Sequence, residues 1–181
     1  MKVLIIIPAY NEEESIEKVI NNLKQNYSQY DYVIINDGSH DHTSEICHKN
    51  KYKIIDLPVN LGLTGAFQTG LKYAYKKGYD YAIQFDADGQ HLPEYIPAMV
   101  DKIEEGYDMV IGSRFVEKPK PRSLRMLGSR VISTAIKITT GVHIADPTSG
   151  MRLFNKTLIK EFAENINYEP EPDTVSFLIK Q

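Results

Sequence analysis

The chain has little of what several protein classes require. Its one cysteine, Cys47, excludes an intramolecular disulfide framework and a cysteine-based zinc site, and predicts a reducing, cytoplasmic compartment. No apolar run approaches the ~20 residues of a membrane span. Val3–Ile7 is too short for the apolar part of a signal peptide and is stopped by Pro8. The net charge of −3 argues against nucleic acid as a partner, because general nucleic-acid binders carry a basic surface.

Several enzyme motifs are also missing. The chain has no Gly-x-Gly-x-x-Gly for a dinucleotide, no Gly-x-Ser-x-Gly of a serine hydrolase and no His-Glu-x-x-His of a zinc enzyme. Gly65 and Gly70 have the spacing of a phosphate-binding loop, but Leu71 and Lys72 stand where Lys and then Ser or Thr are needed. These enzyme classes are therefore excluded.

Apolar runs instead alternate with amphipathic segments through the first part of the chain. The predicted strands are Val3–Ile7, Tyr32–Ile35, Lys53–Leu57, Tyr81–Phe85 and Met109–Ile111; the predicted helices begin at Asn11 and near Asp41 and cover Leu61–Lys77 and Pro93–Glu105. Asn11 is expected to cap the first helix, with Glu14 completing a capping box. This alternation predicts an α/β fold, a doubly wound and mostly parallel sheet with helices on both faces.

The second half is less regular. Residues 115–124 hold prolines among charges and indicate a loop, residues 125–140 have helical spacing, Met151–Phe154 is a candidate strand, and residues 174–180 are a candidate helix. That last helix ends with the chain, without a cap or a following strand. We therefore expect a single domain over residues 1–181 that is cut short at its C-terminus.

Two aspartates, Asp86 and Asp88, follow directly on the predicted strand Tyr81–Phe85. Hard carboxylate oxygens at the end of a strand favour Mg²⁺ or Mn²⁺, which complete their coordination with water and substrate phosphates. A calcium-binding EF-hand loop would also begin Asp-x-Asp. It is excluded because Gln90, His91 and Pro97 occupy the positions that need an oxygen ligand, Gly and Glu.

Polar clusters follow three of the predicted strands: Pro8-Ala9-Tyr10-Asn11-Glu12, Asn36-Asp37-Gly38-Ser39 and Asp86-Ala87-Asp88. The second cluster taken alone is more typical of a plain turn and helix cap. Because parallel strands align their carboxyl ends at one edge, the three clusters are expected to converge there. In that arrangement Asp37 would accept hydrogen bonds from a nucleotide base and Tyr10 would supply a stacking face. His91 would help to hold a leaving group.

A basic segment begins beyond the strand Met109–Ile111. Against one acid, Glu117, it carries six cations: Arg114, Lys118, Lys120, Arg122, Arg125 and Arg130. One interpretation is a solvated, proline-broken loop. The other is capture of a phosphate by arginine, with attraction to an anionic lipid surface. Arg114 leaves a strand end beside the expected metal site, so it is expected to face that site.

Together with Asn60-Leu61-Gly62, Gly112-Ser113-Arg114 and Asp146-Pro147-Thr148-Ser149-Gly150-Met151-Arg152, these clusters closely resemble glycosyltransferase family 2. Within it the chain is similar to the branch of dolichyl- and polyprenyl-phosphate sugar synthases. The resemblance spans essentially the whole chain. It implies a GT-A fold, a nucleoside-diphosphate sugar, a divalent metal and inversion at the anomeric carbon.

The resemblance also implies site residues. The nucleotide-contacting positions are Pro8, Ala9, Tyr10, Glu12, Asp37 and Ala87; the metal positions are Asp86, Asp88 and Gln90; the positions that bind the lipid phosphate are Arg114, Arg125 and Ser129. Residues 1–113 would form the nucleotide-sugar and metal-binding half, and residues 114–181 the acceptor half. Leu63 departs from the family pattern, because many relatives carry a basic residue there. Relatives also continue beyond residue 181.

The acceptor stays open between two chemistries. A polyprenyl phosphate at the cytoplasmic membrane face would need only cations to position it, since it is mostly dianionic at pH 7. A sugar hydroxyl would need a carboxylate base, for which the candidates are Asp146, Glu169, Glu171 and Asp173. The basic segment favours the lipid phosphate. A non-catalytic nucleotide-sugar-binding module and self-association into a homo-oligomer also stay open, whereas a nucleotidyltransferase would need a glycine-rich basic loop that residues 8–12 lack.

Overall fold

The structure is a computed structural model that describes residues 1–89, 91–112, 134, 137–138 and 149–165. The strands are β1 Val3–Ala9, β2 Asp31–Asn36, β3 Ile54–Asp56, β4 Tyr81–Gln84, β5 Met109–Ile111 and β6 Arg152–Asn155. The helices are α1 Ile16–Asn26, α2 Thr43–Lys49, α3 Gly62–Lys77, α4 Ile96–Glu104 and α5 Lys156–Glu164, and a 3₁₀ turn, Pro93–Tyr95, leads into α4.

The strands form one six-stranded sheet in the order β3-β2-β1-β4-β6-β5. Strands β1 to β4 pair in parallel, and β6 lies antiparallel between β4 and β5. The chain leaves β1 in one direction toward β2 and β3 and returns to place β4 on the other side of β1. This reversal is a topological switch point, where open α/β sheets bind their ligands.

Helices cover both faces of the sheet, as predicted. One core packs α1, α2 and α4 against one side of β1, around Ile5, Ile16 and Ile96. The other core packs α3 and α5 against the opposite side, around Ile6 and Phe67. All seven residues of β1 are buried, which explains its continuous apolar run, since a strand covered on both faces has no solvent side.

The predicted cap of the first helix is wrong. Helix α1 begins at Ile16, after Ser15, whereas Asn11 has a left-handed φ of 57°. Its side chain accepts a hydrogen bond from the His40 backbone N–H, and its own N–H donates to Ser39 Oγ. Asn11 therefore joins two neighbouring loops, and Glu14 does not complete a capping box.

Other boundaries shift by less. Strand β3 is shorter than the predicted Lys53–Leu57, and the segment from Pro93 starts as a 3₁₀ turn before α4 begins at Ile96. Beyond Ile111, the predicted loop at residues 115–124 and the helix at residues 174–180 lie outside the described residues. In the described part of the chain, no helix is long and apolar enough to cross a membrane.

Candidate functional site

One cavity, of about 320 Å³, opens at the carboxyl ends of β1, β2 and β4. It therefore lies at the switch point of the sheet. Its lining residues are Pro8, Ala9, Tyr10, Glu12, Asp37, Asn60, Gly62, Leu63, Ala66, Asp86, Ala87 and Asp88. The structure thus brings the three polar clusters together, as their positions after parallel strands predicted.

The loops after β1 and β2 are joined by hydrogen bonds. The Asp37 N–H donates to the Ala9 carbonyl at 2.8 Å, and the Glu12 N–H donates to Thr43 Oγ1 at 2.8 Å. Because each loop donates one of these bonds, the loops are held as one unit. Tyr10 is 43% exposed on this unit, so its ring is available to a ligand.

An ion pair between Glu13 and His42 also joins the same two loops. Glu13 Oε2 accepts hydrogen bonds from the His42 backbone N–H at 2.9 Å and from His42 Nδ1 at 2.8 Å. The bond from the backbone of His42, and then that from its side chain, lower the pKa of Glu13. The bond to Glu13 in turn raises the pKa of His42. Both groups are thus charged over a window of mildly acidic pH.

Asp37 joins this unit to the loop before α3. The residue is only 3% exposed, and its Oδ1 accepts a hydrogen bond from the Leu61 N–H at 2.7 Å. Its Oδ2 accepts no hydrogen bond from the described residues, so one oxygen of a buried carboxylate remains to bind a ligand. The next residue, Gly38, has a φ of 68°, and a Cβ there would lie 2.9 Å from the Asn60 nitrogen.

The loop before α3 and the beginning of that helix contribute lining residues that the sequence did not predict. Asn60, Gly62, Leu63 and Ala66 all line the cavity, although none of them was predicted as a site residue. The sequence does carry a signal for this part of the site, because the Asn-x-Gly motif at residues 60–62 belongs to the family resemblance and Leu63 departs from the family pattern.

The aspartate pair follows β4 at the centre of the sheet edge. The Phe85 N–H donates to the Ile6 carbonyl, which extends the parallel pairing by one residue before Asp86. Ala87 is buried, Asp88 is exposed, and the Asp86 side chain is 33% exposed. The Oδ1 atom of Asp86 is nevertheless buried, with no hydrogen-bond partner among the described residues.

The cavity is strongly acidic. Its lining carries four carboxylates, Glu12, Asp37, Asp86 and Asp88, and no lysine or arginine from the described residues. No three histidine, cysteine, aspartate or glutamate side chains of those residues are grouped to hold a metal. Asp86 and Asp88 nonetheless fit Mg²⁺ or Mn²⁺, which take one or two protein carboxylates and fill their coordination with water and phosphate. The buried Oδ1 of Asp86, which has no hydrogen-bond partner among the described residues, is in keeping with this.

Five predicted site residues lie outside the described residues: Gln90, Arg114, Arg125, Ser129 and Asp146. Their predicted roles stay predictions. His91, which was expected to help hold a leaving group, turns both ring nitrogens toward Asp86.

Fold and cavity together define an α/β protein with a cavity at the switch point of a mostly parallel sheet, the place where open α/β sheets bind their ligands. The family model for glycosyl transferase family 2 matches residues 4–162. The chain therefore belongs to glycosyl transferase family 2. The family predicted from the sequence motifs is confirmed, and with it the enzyme class.

Relatives narrow the resemblance to one branch. The chain is 36% identical to the UDP-N-acetylglucosamine–dolichyl-phosphate N-acetylglucosaminyltransferase of Methanococcus voltae, over 91% of this chain and 73% of the relative. It is 34% identical to the dolichol-phosphate mannosyltransferase of Pyrococcus furiosus, over 94% of this chain and 49% of the relative. Both names belong to the predicted lipid-phosphate branch.

Solved structures support the fold. Glucosyl-3-phosphoglycerate synthase of Mycobacterium tuberculosis, in complex with Mn²⁺, UDP-glucose and phosphoglyceric acid, matches with a TM-score of 0.69 at 20% identity. The match covers 87% of this chain and 57% of that one. The predicted GT-A fold is thus confirmed, and the chain spans a little over half of that structure's length.

Proposed function

We propose that this chain is the catalytic domain of an inverting transferase. It would move a hexose from a nucleoside-diphosphate sugar, UDP in preference to GDP, to a polyprenyl phosphate, with Mg²⁺ or Mn²⁺ at Asp86 and Asp88. The acidic cavity carries this proposal. Four carboxylates would repel a diphosphate at short range unless a divalent cation lay between them.

Different described residues would contact the base, the ribose and the metal-bound diphosphate of the donor. Tyr10 offers an exposed ring to the base, and the Oδ2 of Asp37 can accept a hydrogen bond from a base or ribose donor. Asp86 and Asp88 would hold the cation, with Gln90 as the predicted third ligand. When bound, such a cation neutralises the charge that develops on the leaving diphosphate.

The names of the relatives support a lipid-phosphate acceptor. In the proposed step, an acceptor phosphate oxygen forms a bond to the anomeric carbon from the face opposite the diphosphate. The bond from that carbon to the diphosphate oxygen breaks, and the nucleoside diphosphate leaves with the electron pair. A phosphate monoester with a second pKa near ~6 is mostly dianionic at pH 7, so no base is needed.

The acceptor half of the proposal rests on residues 114–181. Arg114, Arg125 and Ser129 would hold the acceptor phosphate, and the domain would work at the cytoplasmic face of the membrane. Residues 1–113 would form the donor half. The position of the cavity supports this, because its described lining residues all lie between Pro8 and Asp88. Extension of a glycan at a sugar hydroxyl is the alternative, with Asp146 as the base.

Calorimetric titration of UDP and GDP, with and without Mn²⁺, tests the donor site. We expect UDP to bind in a Mn²⁺-dependent manner and Asp88→Ala to reduce Mn²⁺-dependent binding and transfer by roughly 100-fold or more, since a metal contributes several kcal/mol. Asp101→Ala, which removes an exposed carboxylate on α4, is the matched control. Metal-independent binding of both nucleotides, or binding of neither, would refute the proposal.

A second assay tests the acceptor and the catalytic role. The full-length protein is offered a short-chain polyprenyl phosphate and a sugar acceptor, each with a labelled UDP-sugar. We expect transfer to the lipid phosphate and its loss in Arg125→Ala. Transfer to the sugar alone, with Arg125→Ala unimpaired, would move the search for a base to Asp146. If the protein binds UDP in a Mn²⁺-dependent manner, but neither transfers the sugar to an acceptor nor slowly hydrolyses the UDP-sugar, it is a binding module.

A further inference from the structure

Both ring nitrogens of His91 lie close to Asp86. Nδ1 lies 2.9 Å from the Asp86 backbone nitrogen, and Nε2 lies 3.3 Å from Asp86 Oδ2. The side chain is only 12% exposed, and the ring packs edge-on against Phe85, with centroids 5.5 Å apart and an interplanar angle of 71°. The imidazole is therefore held in place at the turn that carries the aspartate pair.

The partners of the ring assign its tautomer. A backbone N–H can only donate, so Nδ1 of His91 must accept with its lone pair. The proton of a neutral imidazole then lies on Nε2, which lies within ion-pair distance of Oδ2. The hydrogen bond that the ring makes is therefore the one to the backbone of Asp86, and it holds the turn in place.

The opposite side of this pair is closed by Gly150, which precedes β6. A Cβ on Gly150 would lie 2.9 Å from Asp86 Oδ2, 3.2 Å from His91 Cε1 and 3.3 Å from His91 Nε2. Any side chain at this position would push the carboxylate and the ring away from each other or from their present places. The close approach of a second chain segment therefore limits the rotation of Asp86.

From this geometry we propose that His91 is a positioning residue for the metal site. Its Nδ1 accepts the Asp86 backbone N–H and so fixes the turn from which the Asp86 and Asp88 carboxylates would reach the divalent cation. Carboxylates on a turn that is already fixed lose less conformational freedom when they bind, and hydrogen bonds from outside the coordination sphere commonly tune metal affinity in this manner. The inference rests on the proposed function, since it requires that Asp86 binds a metal.

Three variants of the full chain separate the two ring nitrogens. His91→Phe keeps a ring against Phe85 but removes the hydrogen bond to the Asp86 backbone and the contact with Oδ2. His91→Gln places an amide N–H near the position of Nε2, and His91→Asn places an amide oxygen near the position of Nδ1. The matched control is His48→Phe, which makes the same change at a histidine whose Nε2 lies 2.7 Å from Asp56, outside the cavity lining.

The measurement is the Mn²⁺ dissociation constant in the presence of UDP, by calorimetry, with the melting temperature of each variant as a check on folding. We expect His91→Phe to weaken Mn²⁺ binding by about 10- to 100-fold, the usual effect of losing such a partner. His91→Asn should retain more affinity than His91→Gln, and His48→Phe should bind as the wild type does. Gly150→Ala, which displaces the pair from the other side, should also weaken Mn²⁺ binding.

The outcomes are distinguishable. If the wild-type protein binds no Mn²⁺ with UDP, the proposed function fails and the positioning role fails with it. If the wild type binds and His91→Phe lowers only the melting temperature, His91 is structural and the positioning role alone is overturned. Affinity retained by His91→Gln but not by His91→Asn would likewise overturn it, because the contact of Nε2 with the carboxylate would then be the one that matters.

Discussion

Replacing Gly38 by alanine tests how the loops around the cavity are held together. Gly38 has a φ of 68°, and a Cβ would lie 2.9 Å from the Asn60 nitrogen and 3.0 Å from the Val59 carbonyl carbon. Gly78 has a φ of 69°, but a Cβ there would meet no heavy atom of the described residues within 4 Å. Gly78→Ala is therefore a matched control, with the same backbone strain and no clash.

The magnitudes follow from this difference. A left-handed conformation costs alanine roughly 1–2 kcal/mol, and the loss of chain entropy in the unfolded state offsets about 0.4–1 kcal/mol of it. We therefore expect Gly78→Ala to lower the free energy of unfolding by about 1 kcal/mol. Gly38→Ala adds the displacement of a backbone segment, which by analogy with overpacking costs about 1–3 kcal/mol more.

The assay is urea denaturation of both variants, followed by titration of UDP with Mn²⁺. Because the Leu61 N–H bond to Asp37 lies on the displaced segment, Gly38→Ala should also weaken UDP binding, whereas Gly78→Ala should not. Equal losses of stability in the two variants, with UDP affinity unchanged in Gly38→Ala, would refute the argument that close approach of the loops shapes the site.

Two further predictions concern stability. The Glu13–His42 pair should stabilise the fold most between the ordinary pKa values of 4.5 and 6.5. The contribution of His42 is lost as the pH rises through its raised pKa, and that of Glu13 as the pH falls through its lowered pKa. In His42→Gln the decrease in the free energy of unfolding as the pH rises should disappear. The decrease as the pH falls should remain, because the backbone N–H at position 42 still donates to Glu13. An unchanged decrease with rising pH would contradict this. Asn155 caps α5, its side chain accepting from a backbone N–H at 3.0 Å, so Asn155→Ala should lower the free energy of unfolding by about 1–2 kcal/mol in urea. Asn155→Ser keeps a capping oxygen without placing a second carboxylate beside Asp108, so it should lose less stability than Asn155→Ala. Equal behaviour of the two variants would exclude a capping role.

Local patterns in the sequence determined the layers of the fold and the edge that carries the site. The run Val3–Ile7 is apolar at every position because β1 is covered on both faces, so its burial could be predicted without its partners. Asp37, Asp86 and Asp88 could be placed at one edge because each follows a strand, and parallel strands end on the same side.

Only the tertiary structure decided what depends on contacts between distant segments. The apolar pattern of Met151–Phe154 predicted a strand, but nothing local to it indicated that β6 would insert between β4 and β5. Asn11 is of a residue type that commonly caps helices, yet its contacts with Ser39 and His40 on the next loop hold it in a left-handed conformation. The close approach of Gly150 to Asp86 likewise brings together segments far apart in the chain. The periodicity of a sequence indicates whether a residue is buried but not which residue packs against it.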